Sequence, residues 1–258
     1  MVQQSADNCP FPPIIELLSV DSTNNYALSL LKGGQLTEGQ KHAIHGTAVF
    51  AHEQFAGKGQ RGKTWLSQKG ENIHLSIIVK PTNINLHHQF LLIAAVATAV
   101  RAFFDRYAQS DTTIKWPNDI YFQNRKAGGI LIENIISGSL WKWAVIGIGL
   151  NINQTDFDPE IKSRVVSLKQ ITGKSFNCLQ MAKELKNEVL KKMTELNPEN
   201  IMEEYNQMLF RKGTNTWLEK DGLVFEALIK EVSTNGQLIV QTNQEQRFDF
   251  GAVNWIME

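Results

Sequence analysis

An α+β fold is what this sequence predicts, and three observations predict it. Strand-like runs joined by short turns follow one another between residues 113 and 152, which implies antiparallel neighbours. One broad apolar stripe at helical spacing, from Leu86 to Tyr107, is suited to lie across a sheet. Beyond Arg211 only short strand-like runs remain, and the strict strand and helix alternation of a Rossmann domain is missing.

The elements can be justified in order. Residues 14 to 20 are mostly apolar, and Asp21, Ser22 or Thr23 can cap a helix that begins near Asn25, because a short oxygen-bearing side chain satisfies free first-turn amides. Residues 47 to 51 and 73 to 79 read as strands. In the second, Ile73, Leu75, Ile77 and Val79 alternate onto one face. The polar, glycine-containing segment between them is therefore a loop held by two strands.

In the long stripe, Leu91, Leu92, Ala95, Val96, Ala99, Val100, Phe103 and Phe104 read as core. Strand-like runs follow at 113 to 116, 120 to 122, 129 to 136 and 140 to 152, with helices expected to cover one face of their sheet. Met181, Leu185, Val189 and Met193 mark an amphipathic helix, and residues 199 to 209 suit another. Runs at 214 to 218, 223 to 232, 237 to 242 and 246 to 250 then make a small all-strand unit. Closure as an SH3-like barrel is the simplest way for it to limit exposed edges. The division is thus 1 to 210, the catalytic body, and 211 to 258, an accessory.

Composition narrows the function classes. The chain has 258 residues, 42% of them hydrophobic and 20% charged, which suits a folded protein with a sizeable core. Lysine plus arginine and aspartate plus glutamate both total 26, so no global charge excess points to nucleic acid or a membrane surface. The two cysteines, Cys9 and Cys178, have no metal-ligand or redox spacing and read as thiols in a reducing compartment. The first residues lack the regions of a secretory signal. The most apolar stretch, Phe90 to Val100, is about half of what a bilayer requires. A cytoplasmic protein is expected.

Three segments carry candidate chemistry. In the first, residues 56 to 65 (AGKGQRGKTW), Gly57, Gly59 and Gly62 let the backbone bend around a ligand while Lys58, Arg61 and Lys63 add positive charge. A polyphosphate or an acyl phosphate would suit it, although a basic turn is the plain alternative and the spacing is not that of the phosphate loop GxxxxGK[ST]. The second runs from Lys115-Trp116-Pro117-Asn118-Asp119 to Lys126-Ala127-Gly128-Gly129. There Lys126 stands at a strand entrance beside two small residues, where an ammonium can approach a bound carboxylate. The third, Gly147-Ile148-Gly149-Leu150-Asn151-Ile152-Asn153, offers close backbone approach and two amides, but lacks the spacing of a dinucleotide fingerprint.

Ser22-Thr23-Asn24, GKGQRGKTW, KWPNDI (115 to 120), KAGGILIE (126 to 133) and GIGLNIN (147 to 153) stand in the order found in biotin protein ligases, and the whole set resembles that family's catalytic motifs. The resemblance implies a catalytic domain of the class II aminoacyl-tRNA synthetase-like, biotin–lipoyl ligase type, with a mixed sheet and covering helices. It implies biotin as substrate, ATP and Mg²⁺ as cofactors, and a biotin carboxyl carrier protein as partner. Ser22, Thr23, Asn24 and Gln54 resemble the polar contacts of the biotin head. Gly57 and Lys58 resemble the part of the loop that closes over biotin, with Gly128 and Gly129 also at the biotin site.

Lys58, Gln60, Arg61 and Lys63 would lie near the phosphates, and Trp65 would form an apolar wall against both ligands. Asn118 and Asn151 resemble nucleotide contacts, Asp119 a magnesium ligand, and Lys126 the lysine at the biotin carboxyl group. Lys126, Lys58 and Arg61 are the implied catalytic residues. The loop departs from the family's usual GRGRRGR, since lysine replaces arginine at two positions and Gln60 removes a charge.

The implied reaction forms biotinyl-adenylate and passes biotin to a lysine amine, with no enzyme nucleophile. Lipoate protein ligase, which also proceeds through an adenylate, is the neighbouring alternative, and a biotin-binding regulatory protein or a scaffold using the terminal module are the non-enzymatic ones. Twenty-one residues before Ser22 cannot house a winged helix, so no specific DNA binding is expected. A homodimer through the central sheet is compatible with the sequence, which fixes no interface.

Overall fold

The structure is a computed structural model, and it describes residues 11–32, 44–82 and 84–257. Cys9, one of the two expected thiols, lies outside the described residues; Cys178 is a free, buried thiol. Seven strands form the main sheet: β1 (Ile14–Leu17), β2 (Ala48–Ala51), β3 (Asn72–Val79), β4 (Thr112–Lys115), β5 (Asp119–Phe122), β6 (Arg125–Ser137) and β7 (Leu140–Asn151). Their spatial order is β1-β2-β3-β7-β6-β5-β4. The β1–β2 pair is parallel and the other pairs are antiparallel, so the sheet is mixed.

Strand parity divides the sheet into two faces. Phe50, Leu75, Ile77, Ile146 and Ile148 belong to the main core with the helices α2 (Gln89–Ala108), α4 (Cys178–Thr194) and α5 (Pro198–Gln207); a short helix, α3 (Leu168–Thr172), adds Leu168. Asn177 and Asn197 cap α4 and α5 through their side-chain oxygens, and Pro198 opens α5 at a position whose N–H has no helical partner. The opposite face carries Val49, Ile78 and Val145, packed with Ala27 of α1 (Thr23–Lys32). Helices therefore flank both faces, where the sequence pattern implied one. The helix starting near residue 25 is too short and polar to advertise itself as a sheet-covering element.

The stretch Leu86–Ala108 has the length and apolarity of a membrane span, longer than the Phe90 to Val100 run suggests. Its burial against β-strands and helices accounts for that apolarity, since Leu92, Val96, Val100, Phe103 and Phe104 are wholly inaccessible in the core.

The remaining strands, β8 (Asn215–Lys220), β9 (Leu223–Val232), β10 (Leu238–Gln241), β11 (Glu245–Phe248) and β12 (Asn254–Trp255), form a second sheet in the order β11-β10-β9-β8-β12. This corrects the expected SH3-like barrel: β11 and β12 are the two edges and do not pair with each other, so the sheet stays open. Closure needs a continuous ladder between first and last strands, but β12 is only two residues long and spends both on β8. The connection before it is used elsewhere. Phe250 meets Trp116 edge to face, and Gly251 offers its carbonyl to Arg61, both in the main body. Leu218, Ile229, Leu238 and Val240 of this sheet share the main core cluster.

Candidate active site

On its face of the sheet α1 packs over β2, β3 and β7, and beside the helix that face opens into a cleft of about 670 Å³. Register explains its floor. His74 on β3, Gly149 on β7 and Gly129 on β6 stand in one row across the strands, and Ser76, Gly147 and Leu131 form the next. The three glycines remove side chains where groups from elsewhere must lie. A Cβ on Gly147 would stand 2.4 Å from Asn24 Oδ1, one on Gly149 2.8 Å from the Trp65 ring, and one on Gly129 3.1 Å from Asp119 Oδ1.

Above Gly129, Lys126 Nζ pairs with Asp119 Oδ1 at 2.7 Å, and the same ammonium lies 5.8 Å from the centre of the Trp65 ring. Asp119 begins β5, directly across from Gly129 on β6, and this pairing brings the ends of two separate motifs together. The preceding turn is pinned from three sides. Asn118 donates its side-chain amide to Ile130 O, Trp116 Nε1 donates to Gly236 O at 2.9 Å, and Tyr205 Oη donates to Pro117 O at 2.9 Å.

At the start of α1, Ser22 O accepts from Tyr26 N, so Ser22 occupies the cap position. Thr23 N and its hydroxyl both donate to Gln54 Oε1, at 2.8 and 3.0 Å. Asn24 donates to Glu133 Oε2 at 2.8 Å and accepts from Ser76 Oγ at 2.6 Å. Glu133 also faces Lys58 Nζ at 3.7 Å. Ser22, Thr23, Asn24 and Ser76 of this polar ring are buried, and the bonds within the ring hold its side chains in place before a ligand arrives.

The glycine-rich segment is a closed hairpin-like loop. Trp65 N donates to Gly57 O at 2.9 Å and Gly59 N to Lys63 O at 2.6 Å, with a 3₁₀ turn over Gln60–Gly62 at the tip. Arg61 adopts the left-handed region (φ 55) in that turn. Its guanidinium lies 5.7 Å from the centre of the Phe250 ring, while Nη1 donates to Gly251 O at 3.2 Å. The cation that would stand near phosphates is thus held by the connection between β11 and β12. Gln60 Oε1 and the Trp65 indole N–H are buried without partners among the described residues.

Of the residues singled out in the sequence, Ser22, Thr23, Asn24, Gln54, Lys58, Gln60, Arg61, Lys63, Trp65, Asn118, Asp119, Lys126 and Gly129 all line this one cleft. Gly57, Gly128 and Asn151 do not. Gly57 lies beneath the loop, where a Cβ would strike Trp65 O at 2.5 Å. Gly128 has the opposite strand parity from Gly129 and is crowded by Leu150. Asn151 is buried and donates to Val166 O at 3.2 Å and Lys126 O at 3.5 Å, tying two backbone segments together.

Several residues in or beside the cleft carried no sequence assignment. Glu133 closes the KAGGILIE motif and lies beside the cleft, where β6–β7 pairing and α1 packing bring it to Asn24. Lys115 lines the cleft with its ammonium 3.2 Å from Tyr121 Oη and 4.9 Å from that ring's centre. Burial brings its pKa down to about 8, against the opposing pull of Asp119. Burial likewise holds His74 below the usual imidazole range, while the same effect raises the Tyr121 phenol. Among the described residues, Asp119 is the only carboxylate that lines the cleft, and no group of three His, Cys, Asp or Glu side chains comes together.

The sequence signature of the Biotin/lipoate A/B protein ligase family matches residues 19–151, a little over half of the chain and the span that supplies most of the cleft's lining, with residues 161–165 and 250–257 adding the rest. The chain belongs to that family. Among this ligase family's characterised members, the bifunctional ligase/repressor BirA of Bacillus spizizenii is 38% identical over 138 residues, 53% of this chain and 42% of that protein. The biotin--[acetyl-CoA-carboxylase] ligase of Paracoccus denitrificans is 34% identical over 138 residues, 53% of each chain. The chain therefore spans about half, or less, of the length of these relatives. A solved structure of a biotin protein ligase from Aquifex aeolicus, in complex with biotin and ATP, superposes with a TM-score of 0.77 at 25% identity, over 96% of this chain and 100% of that one. The family's similarity thus extends through the second sheet in fold, beyond the span of the sequence signature.

Proposed function

We propose that this chain is an ATP-dependent biotin protein ligase that joins biotin to one lysine of a biotin carboxyl carrier protein through biotinyl-5′-AMP. The observation that carries the reading is the Lys126–Asp119 pair above Gly129, set beside Trp65 in a cleft whose other wall is the polar ring of Thr23, Asn24 and Gln54. Similarity to a ligase bound to both biotin and ATP supports it.

In this reading Ser22, Thr23, Asn24 and Gln54 bind the ureido head, a group that needs donors and acceptors together. Trp65 covers the apolar part of biotin, Gly129 leaves room for its carboxylate, and Lys126 holds that carboxylate by charge. Gly57 and Gly128 act from beneath, by allowing the loop and the β6–β7 contact to close. One carboxylate oxygen attacks the α-phosphorus of ATP, the bond to the β-phosphate bridge breaks, and pyrophosphate leaves with the electron pair. Lys58, Arg61 and Lys63, with Gln60 as a neutral donor, offset the charge that would repel the attack.

Arg61 does so only after its guanidinium leaves Phe250 and Gly251. Asn118 orders the turn that carries Asp119, and Asn151 holds the strand end below the nucleotide. The acceptor lysine's amine then attacks the adenylate carbonyl, the carbon–oxygen bond to AMP breaks, and the ammonium proton departs.

A magnesium ion that takes most of its ligands from phosphates and water needs few protein carboxylates, and one is what the cleft offers. Asp119 is the residue that would hold it, and the ion would supply charge neutralisation at the departing pyrophosphate. The same reading assigns residues 1–210 to catalysis and 211–258 to an accessory role, in a reducing cytoplasm that suits the free Cys178 thiol.

The test is pyrophosphate release from ATP with biotin or lipoate, without acceptor, followed by transfer of any trapped acyl group to a carrier-protein lysine. Biotin-selective release and transfer are expected. Activation of lipoate alone would move the chain to the lipoate branch of its family, and activation of neither would overturn the enzymatic reading.

A further inference from the structure

Ser67 and His74 form a hydrogen-bonded pair that the chemistry above does not use. Ser67 Oγ lies 2.7 Å from His74 Nε2, and His74 Nδ1 lies 3.2 Å from Ala51 O. A backbone carbonyl can only accept, so Nδ1 carries the hydrogen; the neutral ring's Nε2 then accepts from the Ser67 hydroxyl. Burial favours that neutral form, since His74 is 1% exposed.

A serine bonded to an imidazole is also the arrangement of an activated nucleophile, but the row beneath it argues for another role. His74, Gly149 and Gly129 are successive partners across β3, β7 and β6. The Trp65 indole fills the space over Gly149, within 2.8 Å of where a Cβ would stand. It therefore lies between His74 and the Lys126–Asp119 pair above Gly129, and screens the serine hydroxyl from the reacting carboxylate. Ser67 follows Trp65 by two residues, and Gln68 N is tied to Gln154 Oε1 at 3.1 Å, which in turn accepts from Asn72 at 2.6 Å. Both anchors hold the stem that leaves the glycine-rich loop.

We infer that Ser67 and His74 are positioning residues that seat the Trp65 indole on Gly149 and so set the wall of the biotin site. The pair acts through Trp65, and its effect on biotin rests on the ligase reading; the anchoring itself does not. Without the serine hydroxyl the stem loses its direct side-chain bond to β3 and keeps only the anchor through Gln154, and the indole, whose N–H has no partner among the described residues, is freer to leave the glycine floor.

Two readouts test this on the full chain. Hydrogen exchange at the Trp65 and Gln68 amides should accelerate in Ser67→Ala and in His74→Phe and return to the parent rate in Ser67→Thr, whether or not biotin binds. Calorimetry with biotin should show roughly tenfold weaker binding in Ser67→Ala, and no further loss when Ser67→Ala is added to Trp65→Ala. Unchanged exchange would overturn the anchoring. Faster exchange with an equal loss of affinity in the Trp65→Ala background would overturn the coupling to Trp65. A parent chain that binds no biotin would sink the ligase reading instead, while the exchange result would still decide the anchor.

Discussion

Lys126 Nζ and Asp119 Oδ1 sit 2.7 Å apart over a glycine, and each comes from a different sequence motif. Neither group is deeply buried, so the pair is worth little as a stabilising contact; its value lies in holding an ammonium where a carboxylate substrate can arrive.

Removal of that ammonium should therefore affect chemistry more than folding. Lys126→Ala is expected to lower the rate of adenylate formation by roughly a hundredfold to a thousandfold, in line with loss of a preorganised charge at a developing anion. Thermal unfolding should move little. Single-turnover pyrophosphate release checks the first, and a near-normal rate would remove Lys126 from the mechanism.

The floor glycines make a packing prediction. Gly147→Ala would press a methyl group to within 2.4 Å of Asn24 Oδ1, which is bonded to Ser76 and faces buried surroundings. Overpacking of this kind costs about 1–3 kcal/mol, and it should weaken biotin binding as well by displacing Asn24. Denaturant unfolding together with biotin calorimetry would test both. Gly70→Ala, at an open position with nothing near its would-be Cβ, controls for mutation as such apart from the strain of its φ of +77°.

Arg61 gives a prediction about the loop. Gly251 has a φ of +80° and its would-be Cβ stands 2.0 Å from Arg61 Nη1. Gly251→Ala should therefore expel the guanidinium from its place by Phe250 and free the loop tip. Trypsin should then cut after Lys58, Arg61 or Lys63 faster than in the parent. Equal cutting rates would mean that the Phe250–Gly251 contact does not restrain the loop.

His74 gives a pH dependence. Burial depresses its pKa below 6.5, so the unfolded chain binds its proton first as pH falls. The associated stability is complete above pH 6.5 and is lost as pH drops through the lower, folded value. The parent's melting temperature should thus fall more steeply below pH 6.5 than that of His74→Phe. His45, also depressed by burial, contributes to both chains and cancels in the comparison.

The amino-acid sequence by itself determined the α+β class, most of the strands, the long core helix, and a set of motifs specific enough to identify the family. Those features are local: alternation, helical spacing and contiguous residues such as Lys115 to Asp119 are written within a few positions of one another. The tertiary structure alone decided that Gly129 and Gly149 face the cleft while Gly128 faces the core, because a strand's facing depends on which partner it pairs with and in what register. Long-range packing also brought Glu133 to Asn24 and turned α1 onto the site face, and the path of the chain between the loop and β3 set Ser67 on His74. The same cause left the terminal sheet open. Its strands were legible as strands, but closing the edge depended on competition between a two-residue β12 and the contacts that Phe250 and Gly251 make with Trp116 and Arg61, more than 130 residues away.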